Sequence, residues 1–243
     1  MSIQLPLAYF FGAVATLGVI LFRIPISKLR TALRILFAFL FSWGAFIVFG
    51  LFLPVPATAS IAVAMGLIWF LQLRIWLHNL VLLLALISVG LVFGFLLSPW
   101  VAVSFMLAIA IYDVLSVRFG YMMWVAKKLS ESAVLPAFVI PAKMASWNTN
   151  LKEAGFKKLW GNGGEREFSI LDGGDIGFPL LMTVSVFFAY GFANAAIIAA
   201  FALGGLISAY GIQAFVLKGK PMPALAPIAF ASLIGFLIVR FVL

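Results

Sequence analysis

Asp113 stands in AIYDVLSVRFG and Asp175 in LDGGDIGFP, each at the edge of a long uncharged run. An ionised carboxylate in hydrocarbon is costly, so acids inside apolar runs are candidates for chemistry. Arg118 offers Asp113 a snorkelling salt bridge, but the offset of five residues places the two poorly on one helical face. Two carboxylates held close together cannot both ionise cheaply. They share a proton, and one acts as base while the other acts as acid. Such a pair can activate a water against a peptide carbonyl. It can equally relay protons through a transporter.

Gly173 and Gly174 precede Asp175 and let the backbone bend and be approached closely there. The plainer reading is a helix N-terminal turn, with Asp172 or Asp175 as a cap favoured by the helix dipole. A third feature is KGKPMPALAPI, where Pro221, Pro223 and Pro227 disfavour a regular helical start and predict an extended stretch. A proline-rich helix entry accounts for it equally. The remaining acids, Glu131, Glu153, Glu165 and Glu167, fall in one polar segment and read as solvated charges.

The elements that must position these residues follow from composition. Of the 243 residues, 65% are hydrophobic and only 9% charged. So much apolar surface, present on every face, predicts an all-α, polytopic membrane helix bundle rather than a soluble domain or a barrel. There is no cysteine, and His78 is the single histidine. That removes disulfides and the usual zinc, haem and iron–sulfur ligand sets, so neither metal nor cofactor is expected. The net charge of +9 has a topological reading, and nucleic acid is not an expected partner. The lipid bilayer is.

Eight spans are expected, at about 3–22, 35–53, 57–73, 79–97, 100–117, 176–191, 195–217 and 221–239. Pro54, Pro56, Ser98-Pro99 and the stretch from Gly191 to Asn194 separate them. If the spans alternate, all 16 Lys and Arg except Arg240 fall on one side. By the positive-inside rule that side is the cytoplasm, both termini lie outside, and the 118–174 loop lies inside. The first span lacks a basic leader and does not read as a cleavable signal. A four-span N-terminal region, 1–99, precedes a region, 100–243, that carries the acids. The polar 143–170 segment reads as an amphipathic helix, with Leu151, Ala154, Lys158 and Leu159 at helical spacings, then a Gly161 to Gly164 turn.

Three short motifs, in order, resemble those of one family. Tyr112-Asp113, Gly174-Asp175 and Pro223-Ala224-Leu225 resemble the YD, GxGD and PAL motifs of the presenilin and signal peptide peptidase family of intramembrane aspartyl proteases. VAKKLSESAVLPAFVIP after the first acid is similar to the corresponding stretch of signal peptide peptidases. The resemblance covers roughly 100–243. It implies Asp113 and Asp175 as the catalytic pair. Tyr112, Gly173, Gly174, Pro223, Ala224 and Leu225 would shape the active site and hold substrate. Two departures stand out. Asp172 replaces the first motif glycine and becomes a rival second acid. The family has nine spans where eight are counted here.

The implied activity is an aspartic endopeptidase cutting transmembrane or signal-peptide segments near the cytoplasmic side. A helical substrate hides its carbonyls and must unwind. EREFSIL, at 165–171, is placed to form an extended edge beside Asp175 for it. A metalloprotease would need H-E-x-x-H, and a serine enzyme a Ser-His pair; His78, beside Arg74, reads instead as an interfacial residue. Type IV prepilin peptidases share GxGD but leave the PAL element unexplained. A proton-coupled transporter using the same acids is the alternative, and Gly191, Gly204, Gly205 and Gly211 would then suit moving helices, although close packing explains them more simply. A substrate-binding protein without turnover is a third reading. The lack of cysteine and the short loops fit a prokaryotic, archaeal plasma membrane.

Overall fold

The computed structural model describes residues 26–121, 124, 125, 129, 134–151, 168–217 and 222–242, with Gly12, Thr16, Val19 and Arg23. The expected first span lies largely outside the described residues. The other seven expected spans are all helices: α1 Ile26–Phe49, α2 Val55–Gln72, α3 Ile75–Leu96, α4 Pro99–Arg118, α5 Gly173–Tyr190, α6 Phe192–Gly211 and α7 Leu225–Phe241. Six are long and apolar enough to cross a membrane, and α7, with 17 residues, is a shorter apolar helix. The chain is thus a multi-pass integral membrane protein with an all-α bundle. Helices dominate because hydrocarbon offers no partner to an exposed amide. Large side chains such as Phe39, Phe52, Leu71, Phe95 and Phe215 stay exposed, as lipid-facing groups do.

Breakers set the boundaries. Pro54 is the extended residue before α2, and Ser98 is the extended residue before Pro99 opens α4. Leu73, at φ 47, ends α2 in the left-handed region. Gly191, at φ 85, separates α5 from α6, and there a glycine is needed. One boundary departs from expectation. The helix α1 begins at Ile26 and runs through basic residues that the sequence suggests as a loop. Arg34 is accommodated inside it because its guanidinium lies 4.7 Å over the Phe70 ring and donates to the Phe70 carbonyl.

Two compact units divide the chain. One gathers Val89–Met123 and Gly174–Leu243. In it Met106, Met182, Val186, Ile198, Leu225 and Phe236 form a buried cluster drawn from α4, α5, α6 and α7. Small residues allow close approach. A Cβ on Gly205 would stand 2.7 Å from the Ile228 Cα, and one on Gly94 would stand 2.7 Å from Val184. Of the four late glycines singled out in the sequence, Gly205 alone serves packing; Gly191, Gly204 and Gly211 face open space.

The other unit gathers Leu17–Ser88 and Trp124–Gly173. Phe41, Trp69, Leu73, Ile75 and Val81 form its core. It holds the one sheet among the described residues: β1, Ala137–Pro141, antiparallel to β2, Phe168–Asp172. The register pairs Ala137 with Asp172, Val139 with Ile170 and Pro141 with Phe168. The amphipathic helix expected from Leu151, Ala154, Lys158 and Leu159 falls outside the described residues except at Leu151, which is helical and buried. A short 3-10 helix covers Met144–Asn148, and β2 is extended. The described start of the segment is tied to the junction of α2 and α3. The Leu151 amide donates to the Leu73 carbonyl at 2.8 Å, the Ile75 amide to the Thr149 carbonyl at 3.1 Å, and Arg74 Nη1 to Asn148 Oδ1 at 2.8 Å.

Candidate active site

Asp113 occupies the last third of α4, and Asp175 the first turn of α5. Both acids belong to one compact unit. Their helices share its apolar cluster, in which Phe105 of α4 meets Phe178 of α5 edge to face at 5.9 Å. Asp113 is half-buried, with its Oδ2 enclosed, and Asp175 is half-buried as well. The N-terminal location of Asp175 suits its negative charge, because the first-turn amides of a helix carry a partial positive charge. Ser116 donates to the main-chain carbonyl of Asp113 at 3.0 Å, a turn-closing contact that leaves the carboxyl group to other partners.

Tyr112 is half-buried beside Asp113. Gly173 is buried and opens α5, followed by half-buried Gly174. The acid in place of the motif glycine, Asp172, is the last residue of β2. It thus belongs to a strand, whereas Asp175 belongs to a helix.

The proline element differs in part from expectation. Met222 and Pro223 lie outside any regular element, as an extended entry requires. The helix α7 nevertheless starts at Leu225, and Pro227 sits within its first turn. A proline is tolerated there because first-turn amides have no intrahelical acceptor. Ala224 is the residue before the helix. Leu225 is buried in the same cluster as Met106, Ile109 and Met182, so the element is anchored to the helices that carry both acids.

The strand β2 bears out an extended conformation for 168–171 and delivers the chain to Gly173. Its partner β1 escaped the sequence reading. The available signal was the short apolar run Ala137 to Ile140 between Pro136 and Pro141, but so short a run is ambiguous alone. His78 has a partner on each ring nitrogen that the sequence did not suggest. It is fully buried inside the protein. Trp69 Nε1 donates to its Nδ1 at 3.2 Å, and its Nε2 lies 3.1 Å from the Ala137 carbonyl. Asn79, unremarked in the sequence, bonds the backbone of Val139. Among the described residues no group of three or more His, Cys, Asp or Glu is placed to hold a metal.

Residues 8–243 match the family model described as signal-peptide peptidase, presenilin aspartyl protease. Among solved structures the chain is similar to a presenilin family intramembrane aspartate protease, with a TM-score of 0.62 and 20% identity, over 100% of this chain and 87% of that one. At that identity the likeness is one of fold. No curated protein matches the chain.

Proposed function

Because the chain belongs to the signal peptide peptidase and presenilin family of aspartyl proteases, we propose that it is a GxGD-type endopeptidase in which Asp113 and Asp175 share one proton and one water. What supports this reading is that the helices carrying the two acids pack in one buried cluster and that a strand leads directly into the helix of the second acid.

The ionised aspartate takes a proton from the water, whose oxygen attacks the scissile carbonyl. The protonated aspartate gives its proton to the carbonyl oxygen. The tetrahedral intermediate then collapses, the C–N bond breaks, and the amine leaves with a proton returned by the acid pair. No metal and no cofactor takes part. Tyr112 and Gly174 shape the site, and Pro223, Ala224 and Leu225 hold substrate against it. Asp172 is a strand-end residue that supports the start of α5.

The substrates are membrane-spanning or signal-peptide segments. Their helices must unwind to expose a carbonyl, and the extended chain pairs with β2. Cleavage falls near the cytoplasmic side of an archaeal-type plasma membrane, with the 118–174 loop on that side; the uneven distribution of Lys and Arg supports this orientation.

The test is cleavage of a single-span peptide in liposomes by purified protein, with new termini read by mass spectrometry. Asp113→Asn and Asp175→Asn each abolish product, while Asp172→Asn retains it. Loss with Asp172→Asn but not with Asp175→Asn would transfer the second catalytic role. Proton-driven flux without any peptide product would favour the transporter.

A further inference from the structure

The first turns of α3 carry two adjacent polar residues, His78 and Asn79, in a helix whose only other polar side chain is Ser88. Both are directed at β1. Trp69 Nε1 is a donor only, so the His78 Nδ1 that receives it at 3.2 Å is the unprotonated nitrogen of a neutral ring. The other nitrogen, Nε2, then carries the proton and donates to the Ala137 carbonyl at 3.1 Å. Asn79 makes a two-point contact. Its Nδ2 donates to the Val139 carbonyl at 2.8 Å, and its Oδ1 accepts the Val139 amide at 3.0 Å.

These bonds fix which way each strand faces. In an antiparallel ladder the amide and carbonyl of one residue point to the same side, and successive residues alternate. Ala137 and Val139 therefore turn towards α3, and Phe138 and Ile140 turn towards Leu171 and Ser169 of β2. The bond from the Gly173 amide to the Pro136 carbonyl, at 2.9 Å, obeys the same alternation. On β2, Phe168 and Ile170 direct their amide and carbonyl groups away from β1. The outer edge of β1 is occupied by side chains that reproduce the bonds of a neighbouring strand. The outward-facing main-chain groups of β2 are those that the proposed pairing with substrate would use.

We propose that His78 and Asn79 are positioning residues. They close the outer edge of β1, direct an incoming extended substrate to β2, and set the register of the sheet that ends at Gly173, two residues before Asp175. This rests on the reading that substrate is cut after pairing with β2.

The experiment compares wild type with Asn79→Ala, Asn79→Asp, His78→Phe and His78→Gln in liposomes. Three readouts are taken: amide hydrogen exchange, disulfide trapping and cleavage of a single-span polyleucine peptide. Asn79→Ala and His78→Phe are expected to speed exchange across 137–141 and 168–172 by about tenfold or more while α6 keeps its protection. His78→Gln, which retains a donor, is expected to stay near wild type. The chain has no cysteine of its own, so trapping is clean. A single-cysteine polyleucine peptide should be captured by Ile170→Cys and not by Ile140→Cys, and by both once Asn79→Ala is added. In cleavage, Asn79→Ala should lower kcat with little change in KM and spread the product termini. A protonated aspartic acid can both donate and accept, as the amide does. The ratio of Asn79→Asp to wild-type kcat should therefore rise as pH falls.

Unchanged strand exchange in Asn79→Ala would overturn the clamp. Trapping at Ile140→Cys with Asn79 intact would overturn the edge assignment. Altered exchange with wild-type kcat and termini would reduce the pair to a structural role. Exchange and trapping need no turnover. A wild-type protein that cleaves nothing would count against the protease reading while those two arms still decide the clamp.

Discussion

The Gly173 amide donates to the Pro136 carbonyl at 2.9 Å, and a Cβ on Gly173 would stand 2.7 Å from that same oxygen. The helix that carries Asp175 therefore begins in a bond to the residue before β1, at a position with no space for a side chain. A real Cβ does not approach an oxygen so closely, so any substitution must displace backbone.

Gly173→Ala is expected to cost about 1–3 kcal/mol of stability by forcing that displacement. Cleavage should fall by more than the stability loss explains, since the displaced backbone leads into Asp175. Thermal melting and cleavage rate, measured on the same preparation, check this. Full activity in Gly173→Ala would show that the Pro136 bond does not set the second acid.

Proline scanning separates the two edges of β2. At Ile170, proline removes an amide that points away from β1; at Leu171, it removes one that points towards Phe138. Both substitutions are expected to lower cleavage. Only Leu171→Pro should speed exchange in β1. If Ile170→Pro leaves the cleavage rate and site unchanged, substrate does not pair with β2.

Adjacent glycines in α6 should respond in opposite ways. A Cβ on Gly205 would lie 2.7 Å from the Ile228 Cα and 2.9 Å from the Pro227 carbonyl, whereas Gly204 faces open space. Gly205→Val is expected to cost about 1–3 kcal/mol and to lower activity, because it forces α6 away from the helix that Leu225 opens. Gly204→Ala should be neutral or slightly stabilising, by up to about 1 kcal/mol from helix propensity. Melting temperatures of the two variants in one detergent decide it.

Ser185 of α5 donates to the Leu97 carbonyl at 2.5 Å and is buried. Interhelical hydrogen bonds in membranes are worth about 0.6 kcal/mol on average and up to about 1.7. Ser185→Ala should therefore lower stability by an amount in that range, with kcat little changed, since the bond lies three turns beyond Asp175. Denaturant unfolding measures the first and cleavage the second.

The helical architecture was legible in the sequence because hydrocarbon permits few solutions. An apolar run of span length must satisfy its own amides, so composition and breakers such as Pro54, Ser98 and Gly191 place the helices to within a few residues. The exception, α1, starts at Ile26 because helices continue past the hydrocarbon where charged side chains find partners, as Arg34 does on Phe70. The candidate acids were legible for a related reason: carboxylates are so costly in apolar runs that Asp113 and Asp175 stand out singly.

The sheet was not legible in the same way. AFVIP and FSILD are five residues each, and what makes them strands is their pairing, which joins Ala137 to Asp172. His78 read as an interfacial residue, and Asn79 drew no reading at all. Their role depends on Ala137 and Val139, 59 and 60 residues further along the chain. Local sequence thus determined which segments are helices, which acids are expensive and which motifs resemble the family, because each follows from the residues' own solvation and torsional preferences. Tertiary structure alone decided which strand edge is closed, where Gly173 is held and how His78 is protonated. Those properties are hydrogen bonds that form only once the chain has folded, and most of them join segments far apart in sequence.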